Sequence, residues 1–408
     1  MTIAAAQASR PFEANLIMGK ARIVRAVFER RDVSGLWDTL FARVTADPGD
    51  AAAFLDASTF LRAIGKPEEA SLSETAALDI SRTYLIRNGN GTGTTVLVFV
   101  TAGDFMANTP IEFLLEGSNA NIVLHYVDAQ TPDLSDVPPH DVAVVGVGES
   151  AESIGVLDNL GRLLGNWPGP ILNNASDRIV GLSRDGVAES FRDEPTILAP
   201  AVTRVPRSAL EALAPARTGA APVPGDLTYP FIIRPIGSHA GDGLERISSG
   251  VALAAFLEAR PEHEFFVSPF VDYSGKDGKF RKQRIAFIDG RPFASHMAVS
   301  DHWMVHYLNA GMAQHADRRI EEAQWMASFD DDFARRHAGA FEALYRRIGL
   351  DYFAIDCAEL PDGRLLLFEA DVAMIVHAMD PAAIYPYKKQ PMRKLFAAFE
   401  AALVRRAG

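Results

Sequence analysis

At 408 residues, with 48% hydrophobic and 23% charged residues, the chain is long enough for two or three domains with cores of their own. A net charge of −12 opposes general binding to nucleic acid or to an anionic membrane surface, and the single cysteine, Cys357, excludes a disulfide framework and fits a reducing cytosol. No segment reaches the length of a membrane span and no long apolar run follows the N-terminal charges, so neither an anchor nor a signal peptide is expected, and the expected compartment is the cytoplasm.

The first predicted elements are helices. Leu16, Ile23, Val24, Val27 and Phe28 fall at helical spacing, and Leu36, Leu40, Phe41 and Val44 continue the pattern. Asp47-Pro-Gly-Asp50 breaks the chain and supplies an N-cap for a helix through Phe54, Phe60, Leu61 and Ile64. Gly65-Lys66-Pro67 ends that helix, Glu68 to Leu85 reads as another, and residues 14 to 88 contain no convincing strand. The stretch from Asp47 to Ala70 is similar to one tetratricopeptide repeat. No second copy follows at the required period, so helical hairpins without repeat identity are the simpler reading.

Asn88-Gly-Asn-Gly-Thr-Gly93 is a polar, glycine-rich linker. Beyond it, Val96 to Val100, Ile122 to Val127, Val142 to Val147 and Ile171-Leu172 are near-continuous apolar runs, as in a parallel sheet covered on both faces. Helices fit between them at Ile111 to Leu115 and Ala151 to Leu164. Pro200 to Pro206 leads into a helix at Ser208 to Leu213, and Ala214 to Gly225 forms a second linker. Strands are predicted at 231–234, 264–267, 283–288, 292–297, 353–356 and 364–369, with helices at 250–259 and from about 317 to 347. A final helix, Met392 to Arg405, carries Leu395, Phe396, Phe399 and Leu403 on one stripe.

Chemistry concentrates in the last half. Tyr229-Pro-Phe-Ile-Ile-Arg234-Pro-Ile-Gly237-Ser238-His239-Ala-Gly241-Asp-Gly243 is an apolar strand ending in a cation and opening into a glycine-rich loop. Such glycines let backbone N–H groups cradle phosphate oxygens, and Arg234 can add a charge-assisted fork. It is neither a Walker loop nor a dinucleotide fingerprint. The basic run from Lys276 to Arg284 gives a local field suited to phosphates inside an acidic molecule. Asp356 ends one predicted strand, while Glu369 and Asp371, two apart on the next, face one side. Hard oxygen ligands clustered this way suit Mg²⁺ shared with nucleotide phosphates. Cys357, with no base placed beside it, reads as an inert strand cysteine.

In this order, the glycine-rich loop, Glu264-Phe-Phe-Val-Ser268-Pro-Phe270-Val271-Asp272, the basic hairpin around Arg284 and the Asp356…Glu369-Ala-Asp371 cluster resemble the ATP-grasp superfamily. The basic hairpin is similar to that of the glutathione-synthetase-like branch. The thirteen positions from Asp356 to Glu369 are similar to the spacing in D-alanine–D-alanine ligases. The resemblance covers about residues 95 to 405. It implies an α/β (α+β) chain: a helical segment over 1–90, a small parallel pre-ATP-grasp domain over 94–215, and an ATP-grasp domain over 225–408. That last domain would have a small subdomain over about 225–272 and a large one over about 273–408, holding ATP between two sheets.

The activity implied is a ligase that activates a carboxylate with ATP and attacks the acylphosphate with an amine. Mg²⁺, with Mn²⁺ as a substitute, would sit on Asp356, Glu369 and Asp371. Arg178, Arg234 and Arg284 would grip phosphate oxygens, and Gly237, Ser238, His239, Gly241 and Gly243 would cover them. Ser268, Phe270 and Val271 would meet adenine, with Asp272 at the ribose. In Ser300-Asp-His302-Trp-Met-Val-His306-Tyr-Leu-Asn309, the residues His302, His306 and Asn309 would reach phosphate or acceptor, the histidines as imidazolium cations. His377 is a weaker candidate for the substrate pocket. Two departures stand out: Arg234 and Arg178 occupy positions where lysine is usual, and Asp371 stands where the family has Asn. The partners implied are small-molecule or peptide carboxylates and amines, with homodimerisation open. An ATP-grasp kinase and a nucleotide-binding scaffold recruiting a partner through the N-terminal helices are the alternatives.

Overall fold

The computed structural model describes residues 15–213, 228–238 and 241–408. His239 lies outside the described residues. By its contacts the chain divides into two compact units. One runs to Val180 and takes in Leu350–Phe353 and Val372–Gly408; the other comprises Gly181–Gly349 and Ala354–Asp371.

The first unit begins with β1 (Asn15–Leu16), α1 (Lys20–Phe28), α2 (Ser34–Ala46), α3 (Ala51–Ala63) and α4 (Pro67–Ile80). There follow β2 (Thr83–Arg87), β3 (Thr95–Val100), α5 (Ile111–Leu114), β4 (Asn121–Tyr126), β5 (Val142–Val145), α6 (Ile154–Leu164), β6 (Ile171–Leu172) and α7 (Ser176–Val180). The second unit continues with α8 (Arg184–Ser190), β7 (Ile197–Leu198), β8 (Thr203–Pro206), α9 (Arg207–Leu213), β9 (Phe231–Pro235) and β10 (Glu245–Ile247). After α10 (Gly250–Ala259) come β11 (Glu264–Pro269), β12 (Phe280–Ile288), β13 (Arg291–Ser300), α11 (Ala316–Ser328), α12 (Phe333–Arg336) and α13 (Ala338–Ile348). The strands β14 (Tyr352–Glu359) and β15 (Leu365–Asp371) close the series, and α14 (Lys389–Ala407) belongs to the first unit.

In the first unit the described strands form one sheet in the order β1-β2-β4-β3-β5-β6. The apolar runs of β3, β4 and β5 pair in parallel, and β3 and β5 are almost wholly buried, as their unbroken hydrophobicity requires. Asp50 caps α3 by accepting from the Ala53 N–H at 2.9 Å, as expected from the break at Asp47-Pro-Gly-Asp50. The stripe of the last helix, α14, is buried at Leu395, Phe399 and Leu403 and packs on α5 and β5.

One expectation is overturned here. The helix read through Leu85 stops at Ile80, and Thr83–Arg87 is a strand antiparallel to β4. Tyr84 and Ile86 are buried while Thr83, Leu85 and Arg87 are not, a period of two confined to five residues. So short an alternation is masked by the helical pattern before it, and it becomes a strand because β4 offers a ladder. The short strands β1, β7, β8 and β10 were not foreseen either, and the long helical stretch after 317 is three helices.

Polar side chains tie the first unit together. Asp56 is buried and accepts from the backbone N–H groups of Met18 and Gly19 at 2.8 and 3.1 Å. Glu112, also buried, accepts from Ala21 N–H at 2.9 Å. Burial pushes the Glu112 carboxyl up from 4.5 to about 7, against the pull of Lys20 and that N–H. A carboxyl raised in the native state holds its proton there after the unfolded chain has lost it. Its contribution is therefore complete below 4.5 and is lost as pH rises through about 7. The expected loss is on the order of 3 kcal/mol. Urea unfolding of the native chain and of Glu112→Gln across that window should show the difference between them shrinking as pH rises; a constant difference would refute the raised carboxyl.

The second unit has two sheets among its described strands, β10-β9-β11-β8 and β13-β12-β14-β15-β7. The first is antiparallel throughout. Its core is Phe231, Ile233, Phe265 and Val267 against Leu253, Phe256 and Leu257 of α10, which Ser249 caps at Ala252 N–H. In the second sheet β14 and β15 are antiparallel, with an irregularity after Asp356 that places Asp356 directly opposite Glu369. The mixed α/β fold with several sheets expected from the sequence is the fold found. Among the described residues no helix is long and apolar enough to cross a membrane.

Candidate functional site

Of the residues singled out by sequence, the second unit brings Arg234, Arg284 and His306 near Asp356 and Glu369 of the β14–β15 pair. Asp356 is fully buried, and both of its carboxylate oxygens are taken by cations of β12. Arg284 donates from Nε to Oδ1 at 2.7 Å and from Nη2 to Oδ2 at 3.0 Å, and Lys282 Nζ lies 2.7 Å from Oδ2. Lys282 and Arg284 are two apart on a strand and so face one side. Across the pair, Glu369 is salt-bridged to Arg184 of α8.

Electrostatics follow from this pairing. Burial alone would raise the Asp356 carboxyl, but Arg284 and Lys282 outweigh it and hold the group well below the usual aspartate value. Burial would likewise raise Glu369, and Arg184, Lys282 and Arg234 together bring it below the ordinary glutamate value despite the repulsion of Asp356.

The β9 cation faces the same charges. Arg234 is buried at the end of β9 and donates from Nε to Ser238 Oγ at 3.0 Å and from Nη2 to the Ser238 carbonyl oxygen. Burial and the neighbouring Arg184 push it down to about 9, with Glu369 pulling the other way. Arg234 is thus a cation held at a cost, in a place that favours an anion. The loop after it is built on left-handed backbone: Gly237, Gly241 and Gly243 have φ of 78, 81 and 62°. At Gly243 a Cβ would also stand 2.7 Å from the Pro235 ring, so that position takes no side chain without movement.

At the end of β11, Ser268 is buried and Phe270 and Val271 are half-buried. The Phe270 ring lies 4.1 Å beneath the Arg246 guanidinium and edge-on to Trp303 at 5.6 Å, which leaves backbone groups as its means of meeting a base. Exposed Asp272 accepts from the Ser274 N–H at 2.9 Å, and that bond lowers its carboxyl.

The segment after β13 carries His302, His306 and Asn309. Residues 301–315 form bends and turns. His306 lies near Lys282, Arg284, Asp356 and Glu369, yet burial and the two cations lower its pKa below the ordinary histidine value. Burial and these cations thus disfavour imidazolium while no bound anion stands beside the ring. Asn309 accepts from the His306 N–H at 2.9 Å and fixes this turn; His302, exposed, accepts from Met304 N–H at 3.2 Å. Cys357 is buried and its thiol is pushed up by burial and by Asp356, as an inert strand cysteine would be.

The expected metal cluster is not assembled. Among the described residues no three His, Cys, Asp or Glu side chains form a group that could hold a metal ion. Asp356 and Glu369 are instead each neutralised by a basic side chain of the same unit, and Asp371 stands opposite Ala354 at the end of β15. As folded, these residues do not fit a ready-made Mg²⁺ site. Arg178 is exposed on α7 of the first unit, and His377, in the same unit, lies beside Phe113 at 6.2 Å.

Two cations of this cluster, Lys282 and Arg184, were not singled out by sequence reasoning, although Lys282 lies in the basic run from Lys276 to Arg284. Lys282 had a signal, its two-residue spacing from Arg284 in a basic strand. Arg184 had none, because only the tertiary fold brings α8 to β15.

No family model matches the chain, and no curated protein matches it. Solved structures do resemble it. A RimK domain ATP-grasp protein from Sphaerobacter thermophilus is 16% identical over 76% of this chain and 98% of its own, with a TM-score of 0.40. The VanG D-Ala:D-Ser ligase from Enterococcus faecalis is 12% identical over 78% and 100%, with a TM-score of 0.46. The D-alanine-D-alanine ligase from Coxiella burnetii is 10% identical over 77% and 96%, with a TM-score of 0.45. At these values function has to be argued from the chain's own side chains.

Proposed function

We propose that the second unit is the catalytic part of an ATP-dependent carboxylate–amine ligase working through an acylphosphate. The observation that carries this reading is the largely buried cluster in which Arg184, Arg234, Lys282 and Arg284 stand about the carboxylates Asp356 and Glu369, with a glycine-rich loop following the strand that carries Arg234. Phosphoryl transfer is mainly a problem of positioning and of stabilising charge on phosphoryl oxygens, and preorganised cations in a water-poor site meet that demand. Backbone groups of Gly237, Ser238, Gly241 and Gly243 cover the phosphates. The end of β11, at Ser268, Phe270 and Val271, takes the adenine edge, and Asp272 the ribose.

In the first step a carboxylate oxygen of the substrate bonds to the γ-phosphorus and the bond to ADP breaks. In the second an amine nitrogen attacks the acyl carbon, phosphate leaves with that oxygen, and the nitrogen gives up a proton. Neutral His306, with His302 and Asn309 in the same turns, is placed to receive the proton or orient the acceptor. The divalent cation expected from the sequence would have to find its ligands after the ion pairs open.

ADP and inorganic phosphate should therefore appear in equal amounts, and only when carboxylate and amine are both present, because the loop excludes water from the acylphosphate. With ¹⁸O in the substrate carboxylate, one labelled oxygen should move into the released phosphate. ADP formed without label transfer, together with a phosphorylated product, would replace the ligase by a kinase; release of neither above background would leave a nucleotide-binding scaffold.

A further inference from the structure

We infer that this site binds the triphosphate of a nucleotide without a divalent cation, because the chain's own cations already stand on the carboxylate oxygens that a metal would need. The inference rests on the phosphate-binding reading above and adds an order of events to it. Both oxygens of Asp356 are engaged, one by Arg284 at 2.7 Å and the other by Lys282 at 2.7 Å and Arg284 at 3.0 Å. Glu369 is held by Arg184. A hard dication takes six or more oxygen ligands and would have to displace three basic side chains to reach these two carboxylates, against their repulsion.

A phosphate anion faces no such obstacle. Ammonium and guanidinium groups carry several donors each, and a donor bound to a carboxylate can still turn another N–H to a phosphate oxygen. Arg234 hydrogen-bonds Ser238 rather than a carboxylate and feels Glu369 and Asp242 only through space, so its guanidinium is not locked in an ion pair before a ligand arrives. Phosphate therefore enters first. As it draws Lys282, Arg284 and Arg184 toward itself it frees Asp356 and Glu369, and only then can a divalent cation find oxygen ligands. Lys282 and Arg184 become phosphate-binding residues under this order, and the acidic pair a reserve of metal ligands exposed by the nucleotide.

The test is calorimetric titration of the full chain with ATP in EDTA and, separately, in excess Mg²⁺, together with Mn²⁺ titration followed by electron paramagnetic resonance. The expected result is ATP binding in EDTA within about tenfold of that in Mg²⁺, and no bound Mn²⁺ until nucleotide is added. Glu369→Gln, half-buried and checked for native circular dichroism, should bind ATP in EDTA several-fold more tightly, since it releases Arg184. Binding that needs Mg²⁺, or Mn²⁺ bound by the protein alone, overturns the inference while leaving the phosphate site in place. Absence of binding under both conditions overturns the phosphate reading itself, and the inference with it.

Discussion

Replacing Asp356 by Ala is expected to destabilise the second unit by about 3–5 kcal/mol, the usual cost of leaving buried charges without their partner. Lys282 and Arg284 have side chains only 16% and 13% exposed, and both address this one fully buried carboxylate. Deleting it removes the carboxylate that the two cations share, so most of the cost is their desolvation and mutual repulsion, now less compensated. The control follows from the same physics. Replacing all three together, Asp356→Leu with Lys282→Met and Arg284→Met, should recover most of the stability, because an apolar cluster of similar volume has no charge to desolvate. Denaturant unfolding of the single and triple variants measures both quantities. A triple variant no more stable than Asp356→Ala would mean that the charges organise the strands rather than merely neutralise one another. The pH dependence has a fixed sign: a carboxyl held below its ordinary 3.8 contributes stability above that value and loses it as pH falls toward the native pKa.

Arg284→Gln should lower turnover by a factor on the order of 10² or more while nucleotide binding weakens less. Arg284 shares the Asp356 carboxylate with Lys282, and under the proposed reaction the negative charge it would meet grows most on the transferring phosphoryl group. An interaction stronger in the transition state than in the ground state appears in kcat, whereas contacts to the base and to the other phosphates continue to hold ATP. Lys282 remains to neutralise Asp356, so this variant should fold, unlike Asp356→Ala. Arg284→Lys should restore only part of the rate, since an ammonium cannot reproduce the two-point grip. The measurement is ADP release at saturating nucleotide beside a binding isotherm for each variant. Loss of affinity equal to the loss of rate would make Arg284 a uniform binding residue, and an unchanged rate would remove it from the site.

What was legible in the sequence was what depends on neighbours along the chain. The buried strands β3, β4 and β5 announced themselves as unbroken apolar runs, the Asp50 cap as a turn signal before a helix, and the loop at Gly237–Gly243 as glycines after an apolar strand closed by Arg234. Glu369 and Asp356 were found for the same reason, as carboxylates surviving in apolar strands, but β14 runs on to Glu359, so Asp356 lies within its strand and not at its end, because the ladder to β15 continues past it. The tertiary structure alone decided the rest. Thr83–Arg87 became a strand because β4, some forty residues away in sequence, supplied its ladder. Arg184 reached Glu369 because α8 packs on β15, a pairing with no local signature. The state of the acidic residues was also a tertiary matter. A sequence shows that three carboxylates lie close along two strands, but whether they meet a metal or a basic side chain depends on which face of β12 turns toward them, and here that face carries Lys282 and Arg284. Charge pairing acts through space at a few ångströms, so it is fixed only once strands from distant parts of the chain stand side by side.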